Sequence, residues 1–243
     1  MSETPTKDYS SLYLPGAIVL AGALVAVGLF FGLTRTGNGI AAGGQPVQKE
    51  VNVKDVKLEG APFIGKADAP LTMAFWSDFQ CPFCKAVEIG GVQGIPTAPS
   101  IPDIIAKYVE TGKLRIVFKN FVFLGEDSIT AAEYDKAVWE LYPAKYYAWR
   151  TEMYKSQDEE GDQGFGDPAS IDALNKKVGL DAAKVKALVA QKKAAYDAEI
   201  QAETAEGQKF GIQGTPGFII GTKAIDGAQP LSAFTAAIDA QLK

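Results

Sequence analysis

The chain has 243 residues, with 24 Lys and Arg against 29 Asp and Glu and a net charge of −5. That length can bury a sizeable core without covalent staples, and the acidic balance without a basic face argues against a nucleic-acid partner. There is no histidine and there are only two cysteines, so a structural zinc site within one chain lacks half its ligands.

In chain order, a polar tail (1–14) precedes a stretch from Pro15 to Leu33 that runs 19 residues without a charge. This is close to the roughly 20 residues that cross a bilayer as a helix and longer than the ~7–15 residue core of a secretion signal. An uncleaved transmembrane anchor over 15–33 is expected, although the small residues Ala41-Ala42-Gly43-Gly44 could host cleavage. No cysteine lies near the segment, which excludes a lipoprotein. Lys7 before the span and Arg35 and Lys49 after it leave the positive-inside rule nearly tied. A Gly/Ala/Gln/Pro linker (34–54) then leads to one domain (55–243).

The first strand is predicted over 71–79, from the apolar run Leu71-Thr72-Met73-Ala74-Phe75-Trp76. Cys81-Pro82-Phe83-Cys84 follows at once and opens a helix. The three glycines and three prolines of 90–102 interrupt that helix with a loop. It is either a tolerated insertion or a lip controlling access to the cysteines. A second strand is predicted over 113–121. Helical spacing then dominates: Ala131, Tyr134, Val138 and Leu141; Tyr146, Trp149 and Met153; Ile171, Leu174 and Val178; Val185, Val189, Tyr196 and Ile200. Trp139, Tyr142, Tyr146, Tyr147 and Trp149 are expected to pack a helical core rather than line a peptide groove. The acidic run from Asp158 to Asp167 lacks the spacing of an EF-hand and reads as a solvated loop. Gly214-Thr215-Pro216-Gly217 is a candidate tight turn with a cis peptide bond. Strands over 217–221 and 223–226 and a last helix over about 230–242 complete the chain.

Two thiols at i and i+3 can be half a metal site, a structural disulfide or a redox pair. A disulfide over so short a loop constrains the unfolded chain little. The helix start favours redox work, because unpaired N–H groups and the positive end of the dipole stabilise a thiolate there. Pro82 suits the first helical position. Cys81 is expected to be the nucleophile, with a depressed pKa, and Cys84, one turn in, the resolving thiol. Asp78, three residues earlier, is placed either to exchange protons with the thiols or in a turn or surface role. Lys119, near the end of the second strand, carries a weaker expectation of pointing at the site.

The run Ser77-Asp78-Phe79-Gln80-Cys81-Pro82-Phe83-Cys84-Lys85 and the later Gly214-Thr215-Pro216 resemble the DsbA-like branch of the thioredoxin superfamily. The lead-in Ala61-Pro62-Phe63-Ile64-Gly65-Lys66-Ala67-Asp68-Ala69-Pro70 is similar to that of membrane-anchored bacterial members. The 135 positions between Cys81 and Pro216 fit a helical domain inserted into a thioredoxin fold, here about 125–209. The resemblance implies an α/β thioredoxin fold and protein thiol:disulfide exchange without a cofactor. It places Pro82, Phe83, Thr215 and Pro216 on the substrate-facing side of the site. Phe83 stands where strongly oxidising members carry a histidine.

These readings combine into an oxidoreductase on the extracytoplasmic side of the membrane, acting on exported cysteine-containing proteins. A membrane quinone reductase resembling DsbB is expected to reoxidise it. Two alternatives stay open: a reductase or isomerase fed by a membrane electron donor, and a non-catalytic peptide-binding or chaperone module.

Overall fold

The computed structural model describes residues 51–158, 162 and 164–242. The expected tail, the expected membrane helix over 15–33 and the linker up to residue 50 lie outside the described residues. Among the described residues no helix is long and apolar enough to cross a membrane.

Among the described residues, five strands make one mixed sheet: β1 (Phe63–Ile64), β2 (Leu71–Ser77), β3 (Leu114–Asn120), β4 (Gly217–Ile220) and β5 (Lys223–Asp226), ordered β1-β3-β2-β4-β5. β2 and β3 are parallel; β1 on β3, β4 on β2 and β5 on β4 are antiparallel. The period of two sorts side chains between the faces. Met73, Phe75, Phe218 and Ile220 enter the main core; Ala74, Trp76 and Ile219 enter a smaller cluster on the other side. Phe75 stacks on Phe218 at 4.4 Å between ring centroids.

Among the described residues, seven helices accompany the sheet: α1 (Pro82–Glu88), α2 (Ile101–Ile104, continued by a π-helical turn, Ile105–Val109), α3 (Glu126–Leu141), α4 (Tyr146–Ser156), α5 (Pro168–Lys177), α6 (Ala182–Lys209) and α7 (Leu231–Gln241). α3 to α6 all lie between β3 and β4 in the chain. The residues at helical spacing are the buried ones: Ala131, Tyr134 and Val138 in α3, Tyr146, Trp149 and Met153 in α4, Val185, Val189, Tyr196 and Ile200 in α6. The aromatic group packs as core, with Trp139 edge-on to Tyr146 at 5.5 Å. Asp167 and Asp181 cap α5 and α6 by accepting the backbone N–H of Ser170 and Lys184. α6 closes on the second face of the sheet at Gly207, where a Cβ would stand 3.1 Å from the Trp76 ring and 3.0 Å from Phe121.

Several boundaries move. Val51 and Val53, which composition places in the linker, are buried beside Trp76 and Ile219, and Val53 N–H donates to the Gly221 carbonyl at 2.7 Å. β2 stops at Ser77 rather than at 79 because Asp78 turns the chain, its Oδ1 accepting the Gln80 N–H at 2.9 Å. The loop after α1 ends at Ser100, and Pro102 sits inside the first turn of α2, where a missing N–H costs nothing.

Candidate active site

The sheet register assembles the site. Trp76 near the end of β2 pairs with Gly217 at the start of β4, so the residues just after β2 and just before β4 share one edge. Gly217 allows a close approach there, since a Cβ would meet Ile212 at 2.6 Å. Cys81 caps α1, Pro82 occupies its first turn, and the Thr215–Pro216 peptide is cis. Cys81 Sγ lies 3.3 Å from the Thr215 carbonyl oxygen. Both cysteines are free thiols; Cys81 is 3% exposed and Cys84 is fully buried.

The two thiols have opposite acidities. A hydrogen bond from Cys84 pulls the Cys81 pKa below the ordinary thiol value; burial opposes this, while the Thr215 hydroxyl and the N–H groups of Cys84 and Phe83 assist it. Burial pushes Cys84 well above the ordinary value, and its hydrogen bond to Cys81 and the Cys81 charge add to the rise. One thiol is thus prepared to ionise and the other to keep its proton.

Around the thiols, Phe83 stands 48% exposed. It lines a mainly apolar recess of about 380 Å³ with Ile95, Pro96, Thr97, Thr215 and Ala228. A second recess, of about 410 Å³, lies along the loop before β4, against Gln213, Thr215, Pro216 and Asp226. Thr215 and Pro216 therefore come together with the cysteines, and the loop over 90–102 supplies one wall.

Asp78 is buried and works in the turn. Oδ1 accepts from Gln80 N–H and from Ser128 Oγ at 2.6 Å, Oδ2 accepts from Phe123 N–H at 3.1 Å, and burial raises its pKa despite these bonds. Lys119 is engaged elsewhere: its Nζ donates to the Lys57 carbonyl at 2.8 Å and pairs with Glu203 at 3.4 Å and Glu206 at 3.2 Å. In the acidic loop, the Asp158 and Asp162 carboxylates accept the backbone N–H groups of Phe165 and Asp127.

A polar stripe along α4 and its C-cap Gln157 went unread, apart from Tyr147 in the aromatic group. Tyr147, Arg150, Tyr154 and Gln157 recur at three, four and three, one position on from the apolar Tyr146, Trp149 and Met153. Gln157 Nε2 donates to the carbonyls of Phe79 at 2.6 Å and Cys81 at 3.1 Å. The same period of helical spacing holds the only signal for this stripe in the sequence.

A thioredoxin-like sheet with a paired thiol at a helix start defines a protein thiol:disulfide oxidoreductase of DsbA-like type. The family model described as Thioredoxin matches residues 57–240, and the chain belongs to that family. Disulfide bond formation protein D of Bacillus subtilis (strain 168) is 24% identical over 189 residues, covering 76% of this chain and 79% of that protein. The crystal structure of oxidised BdbD from Bacillus subtilis superposes with a TM-score of 0.65 at 24% identity, over 76% of this chain and 95% of that one. The thiol-disulfide exchange protein alpha-DsbA2 from Wolbachia pipientis gives a TM-score of 0.62 at 22% identity, over 74% and 86%.

Proposed function

We propose that the protein oxidises cysteine pairs in exported proteins, on the extracytoplasmic side of a membrane in which residues 15–33 anchor it. The observation that carries this reading is the thiol pair at the start of α1, with Cys81 Sγ 3.3 Å from the Thr215 carbonyl; the depressed Cys81 and raised Cys84 acidities support it. The name of the Bacillus subtilis relative, a disulfide bond formation protein, supports the same direction.

A substrate thiolate attacks Cys81 Sγ of the oxidised pair. The Cys81–Cys84 bond breaks, a mixed disulfide forms at Cys81, and Cys84 departs and takes up a proton, as its raised pKa favours. A second substrate thiolate attacks the substrate sulfur of the mixed disulfide. Cys81 then leaves as a thiolate, and its depressed pKa speeds that departure. Two electrons have passed from substrate to enzyme. A membrane quinone reductase resembling DsbB removes them and restores the disulfide. Thr215 and Pro216 line one side of the substrate's path, Pro82 and Phe83 the other.

Phe83 also favours a second reading, a reductase or isomerase, because its side chain offers no donor to hold a thiolate. Equilibrating the full-length protein in glutathione buffers separates the two. A potential near about −120 mV marks a disulfide donor, and one near about −270 mV a dithiol donor. The first is expected; the second reverses the proposed direction.

A further inference from the structure

Arg150 is a guanidinium with 1% of its side chain exposed, on a helix that carries neither cysteine. Its Nε donates to Glu88 Oε1 at 2.7 Å, and its Nη2 donates to Ser77 Oγ at 2.8 Å. Ser77 is the last residue of β2 and Glu88 the last of α1. One side chain therefore ties both ends of the segment that holds Cys81 and Cys84.

The rest of the α4 stripe grips the residues between. Tyr154 receives a bond from Arg150 Nη2 at 3.3 Å and donates to the Asp78 carbonyl at 3.4 Å; Gln157 holds the Phe79 and Cys81 carbonyls; Tyr147 donates to Glu88 Oε2 at 3.4 Å. The guanidinium is surrounded by rings, lying 4.3 Å from the Phe118 centroid and 5.1 Å from that of Phe79. Asp135 is a second buried carboxylate that feels Arg150, and it is held by Tyr146 OH at 2.6 Å and Asn120 Nδ2 at 3.2 Å. Burial raises the Tyr154 pKa and Arg150 opposes the rise.

We propose that Arg150, with Glu88, is a positioning pair that sets the redox equilibrium of Cys81–Cys84. The argument is one of charge difference. The dithiol form carries negative charge once Cys81 ionises, whereas the disulfide form carries none. A cation desolvated among rings acts on that difference over more than contact distance, because little water screens it. Glu88, its side chain fully buried, balances it. Without Arg150 the buried cation that favours a Cys81 thiolate is gone, and the pair is biased toward the disulfide. Without the Glu88 charge the Arg150 cation is less compensated and biases the pair toward the dithiol. A merely structural role moves both redox forms equally and leaves the equilibrium where it was.

The inference rests on thiol–disulfide exchange at Cys81–Cys84, whichever its direction. The test is the glutathione equilibrium constant of the full-length protein, of Arg150→Met and of Glu88→Gln, with urea unfolding of each in both redox states. Arg150→Met is expected to shift the constant about fivefold or more toward the disulfide, which is about 20 mV. Glu88→Gln is expected to shift it in the opposite direction. Constants within twofold of wild type for both variants, with equal loss of stability in both redox states, overturn the proposal. If Arg150→Met does not fold, the near-isosteric Glu88→Gln decides alone: a shift toward the dithiol supports the pair, and an unchanged constant removes it. A wild-type protein that fails to equilibrate with glutathione at all overturns the exchange chemistry instead, and with it the basis of this pair.

Discussion

Thr215 meets Cys81 with two groups of opposite preference. Its carbonyl oxygen, 3.3 Å from Cys81 Sγ, accepts a hydrogen bond from the thiol. Its hydroxyl is buried without a hydrogen-bond partner in this thiol form and is one of the groups that lower the Cys81 pKa. The 134 positions between these residues are closed by the register of β2 against β4.

Thr215→Val keeps the carbonyl and the side-chain shape but removes the hydroxyl donor. The Cys81 pKa is then expected to rise, and alkylation of the reduced protein at neutral pH to slow about tenfold or more, as expected for losing one hydrogen bond to a charged group. Iodoacetamide kinetics across pH measure this. An unchanged rate would show that the hydroxyl does not reach the thiolate.

The acidities of the two thiols also predict how the reduced fold responds to pH. Cys81 is depressed in the fold, so the unfolded chain binds more protons there and stability rises with pH toward the ordinary thiol value of 9.0. Cys84 is raised, so its contribution is present below that value and is lost as pH rises beyond it. Urea unfolding of the reduced protein and of Cys81→Ser, at a series of pH values in excess reductant, isolates the first effect. The stability difference between them is expected to grow from acid pH toward 9 and not beyond; a flat difference contradicts the depressed thiol.

Gly207 sets two effects against each other. Alanine is the better helix former by about 1 kcal/mol. Its methyl, however, meets the Phe121 and Trp76 rings at 3.0 and 3.1 Å, and both rings are buried. Overpacking of this kind costs typically about 1–3 kcal/mol, so Gly207→Ala is expected to lower the unfolding free energy by up to about 2 kcal/mol. A variant as stable as wild type, or more so, would mean that α6 can shift off the sheet.

Much of this arrangement was legible because apolar periodicity follows burial. Met73 and Phe75 alternate with Ala74 and Trp76, and Val185, Val189, Tyr196 and Ile200 share one helix face. The cysteines and the Thr215-Pro216 pair were legible as motifs. β1, at two residues, is too short to carry a period. Arg150, Tyr154 and Gln157 were illegible for a different reason: polar residues at helical spacing normally face water. Only the packing of α4 against the segment Ser77 to Glu88 turns that face inward. The extent of β2 was misread because Asp78 satisfies its neighbours' N–H groups with a side chain, a competition the apolar pattern does not register.

Phe83 offers the sharpest test of how substrate is held. A large apolar side chain 48% exposed, two positions after Cys81, leaves apolar area uncovered. The recess it shares with Ile95, Pro96 and Ala228 would cover that area with an apolar side chain flanking a substrate cysteine. Phe83→Ala removes this contact without touching the Cys84, Thr215 or backbone groups that act on Cys81. Losing about 1.4 kcal/mol of apolar contact corresponds to a tenfold weaker complex. KM for a cysteine peptide with apolar neighbours is therefore expected to rise about tenfold while kcat holds. A matched peptide with glycine neighbours is expected to show almost no change. Equal losses on both peptides would place Phe83 in the chemistry at Cys81 rather than in recognition. A variant indistinguishable from wild type would leave the recess without a role in binding.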